Sequence, residues 1–335
     1  MDGGKLWLKA LAVGLIAAAF PLLIFGCKNN TSTTNPTAHD ATWPDKPGPK
    51  VVVSFAPLYC FVANVAGEDA VVKNVMTSRG PHDFDPTEAD MKLVTKADLF
   101  FIIGLGLDDK QGDKMKTGSG NKNLKLVELG ESESLKTHLL KGVSNQPGHE
   151  GHDHGDKDPH LWLSPDHAVK LVNLIRDELK AADPAHAAGY ESRAAAYVLK
   201  LNALKTYGLE KFKDKKDRRL VSFHDSLAYF SKAFNLEVSG VLTKHPGQEP
   251  DAKEMKQLIK VCTGPPQVRL IATEPQYSTS TSGQALQKEL AAKGVASAEL
   301  VEFDPLETVR PEDLTLDWYE KKMRENLDKL AEKMK

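Results

Sequence analysis

The chain has 335 residues, with 44 basic and 46 acidic side chains and only three cysteines. A balance so close to neutral offers no basic face, which excludes nucleic acid as an expected partner. With Cys27 set aside, Cys60 and Cys262 lie far apart in apolar helical contexts, and they read as free buried thiols rather than a disulfide.

In chain order, Lys5 is followed by a short apolar run from Ala10 to Phe25, interrupted by Pro21. It is too short for a comfortable membrane span and reads as the apolar core of a secretory signal. It ends in Leu23-Ile24-Phe25-Gly26-Cys27, which resembles a bacterial lipoprotein cleavage site and would leave Cys27 as a lipidated first residue. Residues 1–27 are therefore expected to be a signal peptide. Residues 28–50, rich in Asn, Thr, Pro and Asp without apolar periodicity, are expected to be a disordered tether.

About 285 residues remain from Val51 onward, enough for two domains. The run 50–55 is β-branched and lies between Pro49 and Pro57, so it predicts a strand. A helix over 58–65 ending at Gly67, a strand over 71–76 and a helix over 86–97 with Thr87 as N-cap follow. The fully apolar run 99–103 suits a buried parallel strand, and 124–129 is another strand. Between those two strands, 107–123 reads as a loop or a frayed helix. Further strands are predicted over 219–223, 236–242, 268–273 and 298–303. Helices fit over 226–234, with Asp225 or Ser226 as cap, and over 250–262, 281–293 and 314–334. Strand and helix alternate in both halves, which predicts α/β architecture. Between the halves, Tyr190, Ala194, Tyr197, Leu201, Leu204 and Leu209 recur at helical spacing, predicting one long amphipathic helix over 185–213. At 1.5 Å per residue it would span roughly 40 Å.

Three histidines stand where open α/β sheets place their chemistry. His82 follows a strand in Pro81-His82-Asp83-Phe84. Taken alone, it reads as well as a solvated loop residue. His160 sits in Asp158-Pro159-His160-Leu161-Trp162-Leu163-Ser164-Pro165. The prolines stiffen that backbone, the apolar residues anchor it, and Asp158 can accept the second ring N–H. A buried structural histidine is the equal alternative there. His224 closes an apolar strand in Phe223-His224-Asp225. Three imidazoles suit Zn²⁺, although no His-Glu-x-x-His motif or Cys-x-x-Cys pair is present.

These segments, together with Ser54-Phe55-Ala56-Pro57-Leu58-Tyr59, Tyr229-Phe230 and Glu274-Pro275-Gln276-Tyr277, resemble the metal-receptor subunits of bacterial ABC importers. The likeness is to the cluster A-I solute-binding proteins, and most of all to their zinc-type branch, from about Val51 to the C-terminus. It implies two α/β lobes with mostly parallel sheets, residues 51–184 and 214–335, joined by one long rigid helix, with the metal in the cleft between them. It also implies His82, His160 and His224 as metal ligands. Manganese-type relatives place Glu at the His224 position and Asp shortly after the motif that begins at Glu274. Here the first is His, and Ser278, Thr279 and Ser280 follow Tyr277, which moves the expected preference from Mn²⁺ to Zn²⁺. Water is the expected fourth ligand, with Glu274 nearby as a support; Glu274 itself or a histidine of the tract before His160 is the alternative ligand. The Gly- and acid-rich tract around His149, His152 and His154 resembles the family's His-rich loop and is expected to collect zinc weakly. His39, His138, His167, His186 and His245 read as ordinary histidines.

The expectation is thus a monomeric, non-enzymatic receptor carrying Zn²⁺ as its transported ligand. It would be lipid-anchored at the periplasmic or extracellular face of a membrane and would serve an ABC permease and its ATPase. A manganese-type receptor, a zinc hydrolase and a zinc-buffering adhesin are the competing readings.

Overall fold

The computed structural model describes Met1 and residues 42–142, 157–243, 248–295 and 297–335. Cys27, most of the tether, and His39, His149, His152, His154 and His245 lie outside the described residues.

The first half builds a parallel four-stranded sheet from β1 (Lys50–Val53), β2 (Val71–Asn74), β3 (Leu99–Ile102) and β4 (Lys125–Glu128), in the order β2-β1-β3-β4. All four residues of β3 are buried, as its uninterrupted Leu-Phe-Phe-Ile sequence demands of a strand covered on both faces. The second half repeats the plan with β5 (Arg219–Ser222), β6 (Glu237–Val241), β7 (Leu270–Thr273) and β8 (Glu299–Glu302), ordered β6-β5-β7-β8 and again all parallel. Parallel neighbours need crossover connections, and helices supply them within each half; in chain order the helices are α1 (Ala56–Ala66), α2 (Glu88–Val94), α3 (Asp109–Ser119), α4 (Glu133–Lys136), α5 (Pro165–Ala182), α6 (Ala187–Phe212), α7 (Ala228–Phe234), α8 (Ala252–Thr263), α9 (Ser282–Ala292) and α10 (Trp318–Lys333), of which α4, α5 and α6 lie between the two sheets along the chain and α10 follows the last strand.

Thr87 caps α2 as expected, in a reciprocal box with Asp90. The ambiguous stretch after β3 is helical: α3 buries only Gly112 and Met115, which explains its weak apolar signal. Neither Asp225 nor Ser226 caps α7, which starts at Ala228 with Leu227 at its N-cap and no side-chain cap. The sequence reading omitted α5, an 18-residue helix opened by Pro165 at its first turn. The long helix α6 has 26 residues and buries Tyr190, Ala194, Tyr197, Leu201, Leu204, Gly208 and Phe212. Leu209 is only partly buried, because Gly208 takes the crowded position against Phe234 and Leu327. Cys60 and Cys262 are both free and buried.

One large apolar cluster runs from Val51 and Phe101 through α5 and α6 to Phe230, Phe303 and Met323. A smaller one, with Val221, Ile271, Leu286 and Leu290, fills the opposite face of the second sheet. Trp162 joins the two halves directly. It is fully buried, meets Phe55 edge-on at 4.8 Å, and donates its Nε1–H to the Pro305 carbonyl at 2.8 Å. Its own carbonyl accepts from the Tyr319 hydroxyl at 2.7 Å. Burying that one ring is worth about 2–3 kcal/mol, and the two hydrogen bonds keep its polar groups satisfied.

Candidate metal centre

The candidate site is built at the carboxyl ends of the strands, where unpaired backbone and short loops leave room for side chains. His82 lies in the loop after β2. That loop is held from below by Gln111 of α3, whose Nε2 donates to the Pro81 and Phe84 carbonyls, each at 3.4 Å. His160 precedes a short 3-10 turn, Leu161–Leu163, whose three side chains are all buried. His224 follows β5, and Glu274 follows β7, the neighbouring strand. These two strands flank the point where strand order reverses, the usual ligand position in open sheets.

The structure brings together the Nε2 atoms of His82, His160 and His224 around one carboxylate, Glu307. Glu307 Oε1 lies 3.3 Å from His82 Nε2, 3.7 Å from His160 Nε2 and 3.4 Å from His224 Nε2. His160 Nε2 and His224 Nε2 are themselves 3.4 Å apart. The three rings are nearly equidistant, with centroids 5.3, 5.4 and 5.7 Å apart. Zinc bound tetrahedrally at about 2.0–2.1 Å sets its ligand atoms roughly 3.3 Å apart. The four separations above lie near that edge length, and all four ligand atoms fall within 4.8 Å of one another. All four side chains are at most 3% exposed.

Carboxylates behind two of the rings set the imidazole orientation. Asp158 Oδ1 lies 2.8 Å from His160 Nδ1 and also accepts the His160 backbone N–H at 2.9 Å. Glu274 Oε1 lies 2.6 Å from His224 Nδ1. These contacts engage the Nδ1 atoms of His160 and His224, which leaves each Nε2 facing the shared centre, where a metal ion would require it deprotonated. Glu274 therefore stands behind the His224 ring, while Glu307 occupies the fourth position of the cluster.

Burial and charge act in opposition here. Burial, reinforced by the neighbouring His224, holds His160 well below the ordinary histidine value. Burial also disfavours a charged His224, but Glu274 and Glu307 outweigh it and hold that ring well above the ordinary value. Glu307 is likewise desolvated, yet His82 and His224 keep its carboxyl well below the usual range. Burial pushes Asp158 up to about 7. The metal-free cluster is thus a partly protonated network of imidazoles and carboxylates.

Glu307 is not among the ligands expected from the sequence. It sits in Asp304-Pro305-Leu306-Glu307, just after β8, and the rule that singled out strand-end histidines would have found it if applied to acids. His167 bonds to Ser164 and the His138 carbonyl, and His186 pairs with Asp183, both away from the cluster. Among the described residues, the four-residue cluster is the one group with metal-ligand geometry.

Comparison with known proteins gives a consistent picture. The family model described as ZnuA, zinc-uptake complex component A periplasmic, matches residues 51–333. The zinc-binding protein AdcA of Streptococcus pyogenes is 30% identical over 294 residues, covering 84% of this chain and 55% of that protein. The chain thus spans about half the length of the AdcA proteins it matches. The metal ABC transporter substrate-binding lipoprotein SsaB of Streptococcus sanguinis is 26% identical over 242 residues, covering 71% of this chain and 73% of that one. Among solved structures, FpvC of Pseudomonas aeruginosa in complex with Mn²⁺ superposes with a TM-score of 0.72 at 25% identity, over 86% of this chain and 98% of that one. A Zn(II)-bound variant of AdcAII from Streptococcus pneumoniae superposes with a TM-score of 0.68 at 26% identity, over 86% and 100%. One fold thus hosts different ions.

Proposed function

The chain belongs to the family of ZnuA, the periplasmic component A of zinc-uptake complexes, and on that premise we propose that it captures Zn²⁺ and delivers it to an ABC permease and its ATPase. The observation that carries the reading is the cluster of His82, His160, His224 and Glu307. Its three nitrogens and one oxygen suit Zn²⁺ better than Mn²⁺, which prefers a shell of oxygens. Zn²⁺ is cargo here. The three neutral imidazoles and one carboxylate would hold it without help from solvent. That full set supports a receptor over a hydrolase, because a catalytic zinc keeps one position open for water.

The lipoprotein-like sequence at Cys27 and the lipoprotein nature of SsaB support a lipid-anchored protein on the outer side of a membrane. Among the described residues no helix is long and apolar enough to cross a membrane. The tract with His149, His152 and His154 leads directly into the segment holding His160, a position that suits a weak collector of zinc.

Competitive Zn²⁺ and Mn²⁺ titration of the soluble part tests the proposal. The expected result is one tight Zn²⁺ per chain and a clear preference over Mn²⁺. His224→Ala and Glu307→Ala should each lose about 100-fold or more in Zn²⁺ affinity, beyond the roughly 10–100-fold typical of supporting residues. Deleting residues 148–156 should remove weak extra equivalents and leave the tight one. Tight binding that survives His224→Ala but not the deletion would transfer the site to the tract and sink the assignment.

A further inference from the structure

Gln276 joins the two carboxylates of the cluster from behind. It lies in the 3-10 turn Pro275–Tyr277 that leaves β7. Its Nε2 is 3.1 Å from Glu274 Oε2 and 3.3 Å from Glu307 Oε2. Both partners only accept, so the amide must present its NH₂ to them, and both N–H bonds are used. The price of that orientation is visible in its Oε1, which is buried and accepts no hydrogen bond among the described residues. Each carboxylate is thereby divided in function. Glu274 gives Oε1 to His224 and Oε2 to Gln276. Glu307 turns Oε1 to the three imidazoles and Oε2 to Gln276.

Gly80 reinforces this arrangement. A methyl group added there would stand 3.1 Å from Glu307 Cβ and 3.5 Å from its Oε2. The His82 loop therefore passes close to Glu307, with room for a glycine but little more.

We propose that Gln276 is a specificity-determining residue, which keeps Glu307 a one-oxygen ligand and so restricts the bound ion to four coordination. The inference rests on the reading of the cluster as a Zn²⁺ site. Zn²⁺ is satisfied by four ligands, whereas Mn²⁺ gains from every added oxygen. With its Oε2 released, Glu307 could swing to bind through both oxygens, giving a five-ligand site that costs zinc its preferred geometry and helps manganese.

The test uses Gln276→Leu, which keeps the volume and removes the donor, and Gln276→Asn, whose shorter amide cannot span both carboxylates. Zn²⁺ and Mn²⁺ affinities are measured by chelator competition. Coordination number is read from the visible absorption of the Co²⁺-loaded protein, intense for four ligands and weak for five or six. Wild type should show the intense spectrum. Both variants should lose intensity, and their Zn²⁺-over-Mn²⁺ preference should fall about tenfold or more, the usual scale for a residue supporting a ligand. A weak Co²⁺ spectrum in wild type overturns the proposal without any variant. So does an unchanged spectrum and ion preference in a folded Gln276→Leu protein. If wild type instead binds no stoichiometric Zn²⁺, the receptor reading itself falls along with it.

Discussion

At the scale of single residues, the proposed site sets a proton and a metal ion in competition for the same nitrogen. Burial disfavours a charged His224, but Glu274 and Glu307 outweigh it and shift the ring toward its protonated form in the metal-free protein. Its value when folded lies above its unfolded value of about 6.5. The resulting stability is fully present below about pH 6.5 and is lost as pH rises through the raised value. Zinc needs the neutral ring, so binding must expel that proton. For this ring the two consequences have opposite signs: lower pH favours its folded, metal-free form and weakens its hold on zinc, while the lowered His160 opposes the first effect. Calorimetric titration in buffers of different ionisation enthalpy should show release of about one proton or more per Zn²⁺ near pH 7, with affinity falling about tenfold per pH unit below it. Affinity independent of pH between 7.5 and 5 would contradict three-imidazole ligation.

Element packing explains why α6 carries a glycine in its interior. A Cβ at Gly208 would come within 2.3 Å of the Phe234 ring and 2.9 Å of Leu327. These belong to α7 and α10, so Gly208 is where the long helix meets two others at close range. Gly208→Ala gains about 1 kcal/mol of helix propensity but overpacks a buried junction, at a cost of roughly 1–3 kcal/mol. The net expectation is a loss of stability in denaturant unfolding, and a stabilised variant would show that the junction can relax. Much of this level was legible in the sequence. The strands β1, β3, β5 and β7 announced themselves as short apolar runs, and the period of α6 gave its buried face. The two halves' strand–helix alternation implied parallel sheets. The shortfall came where polar composition hides a helix. In α3 only Gly112 and Met115 are buried, and in α5 the apolar stripe begins directly behind the conspicuous Asp158-Pro159-His160 segment.

At the scale of the whole molecule, the site depends on contacts that cross between the halves. Trp162 reaches the Pro305 carbonyl two residues before Glu307, and the Tyr229 hydroxyl reaches the Asp158 carbonyl behind His160. Tyr277 of the second half meets Asp83, beside His82, at 3.4 Å. A ligand that binds only the assembled arrangement stabilises the whole fold by mass action, about 4 kcal/mol at a thousandfold excess over Kd. For a chain of this size that should raise the melting temperature by something on the order of 10 °C. Thermal unfolding with and without excess Zn²⁺ checks it. The shift should reverse with a chelator and be absent in His160→Ala.

The sequence by itself determined which chemistry is available: imidazoles at strand and loop ends, an acid placed to orient His160, an apolar framework rigid enough to hold them, and the family to which they belong. These are local properties, set by residue type, short-range spacing and hydrophobic period. The tertiary structure alone decided that Glu307 takes the fourth position, that Glu274 stands behind His224, and that Gln276 ties the two acids together. Positions 82, 160, 224 and 307 are separated by long stretches of chain, and their distances depend on how two sheets, two long helices and a shared core dock. No local pattern encodes that docking, because it is the sum of many small packing terms spread over the whole molecule.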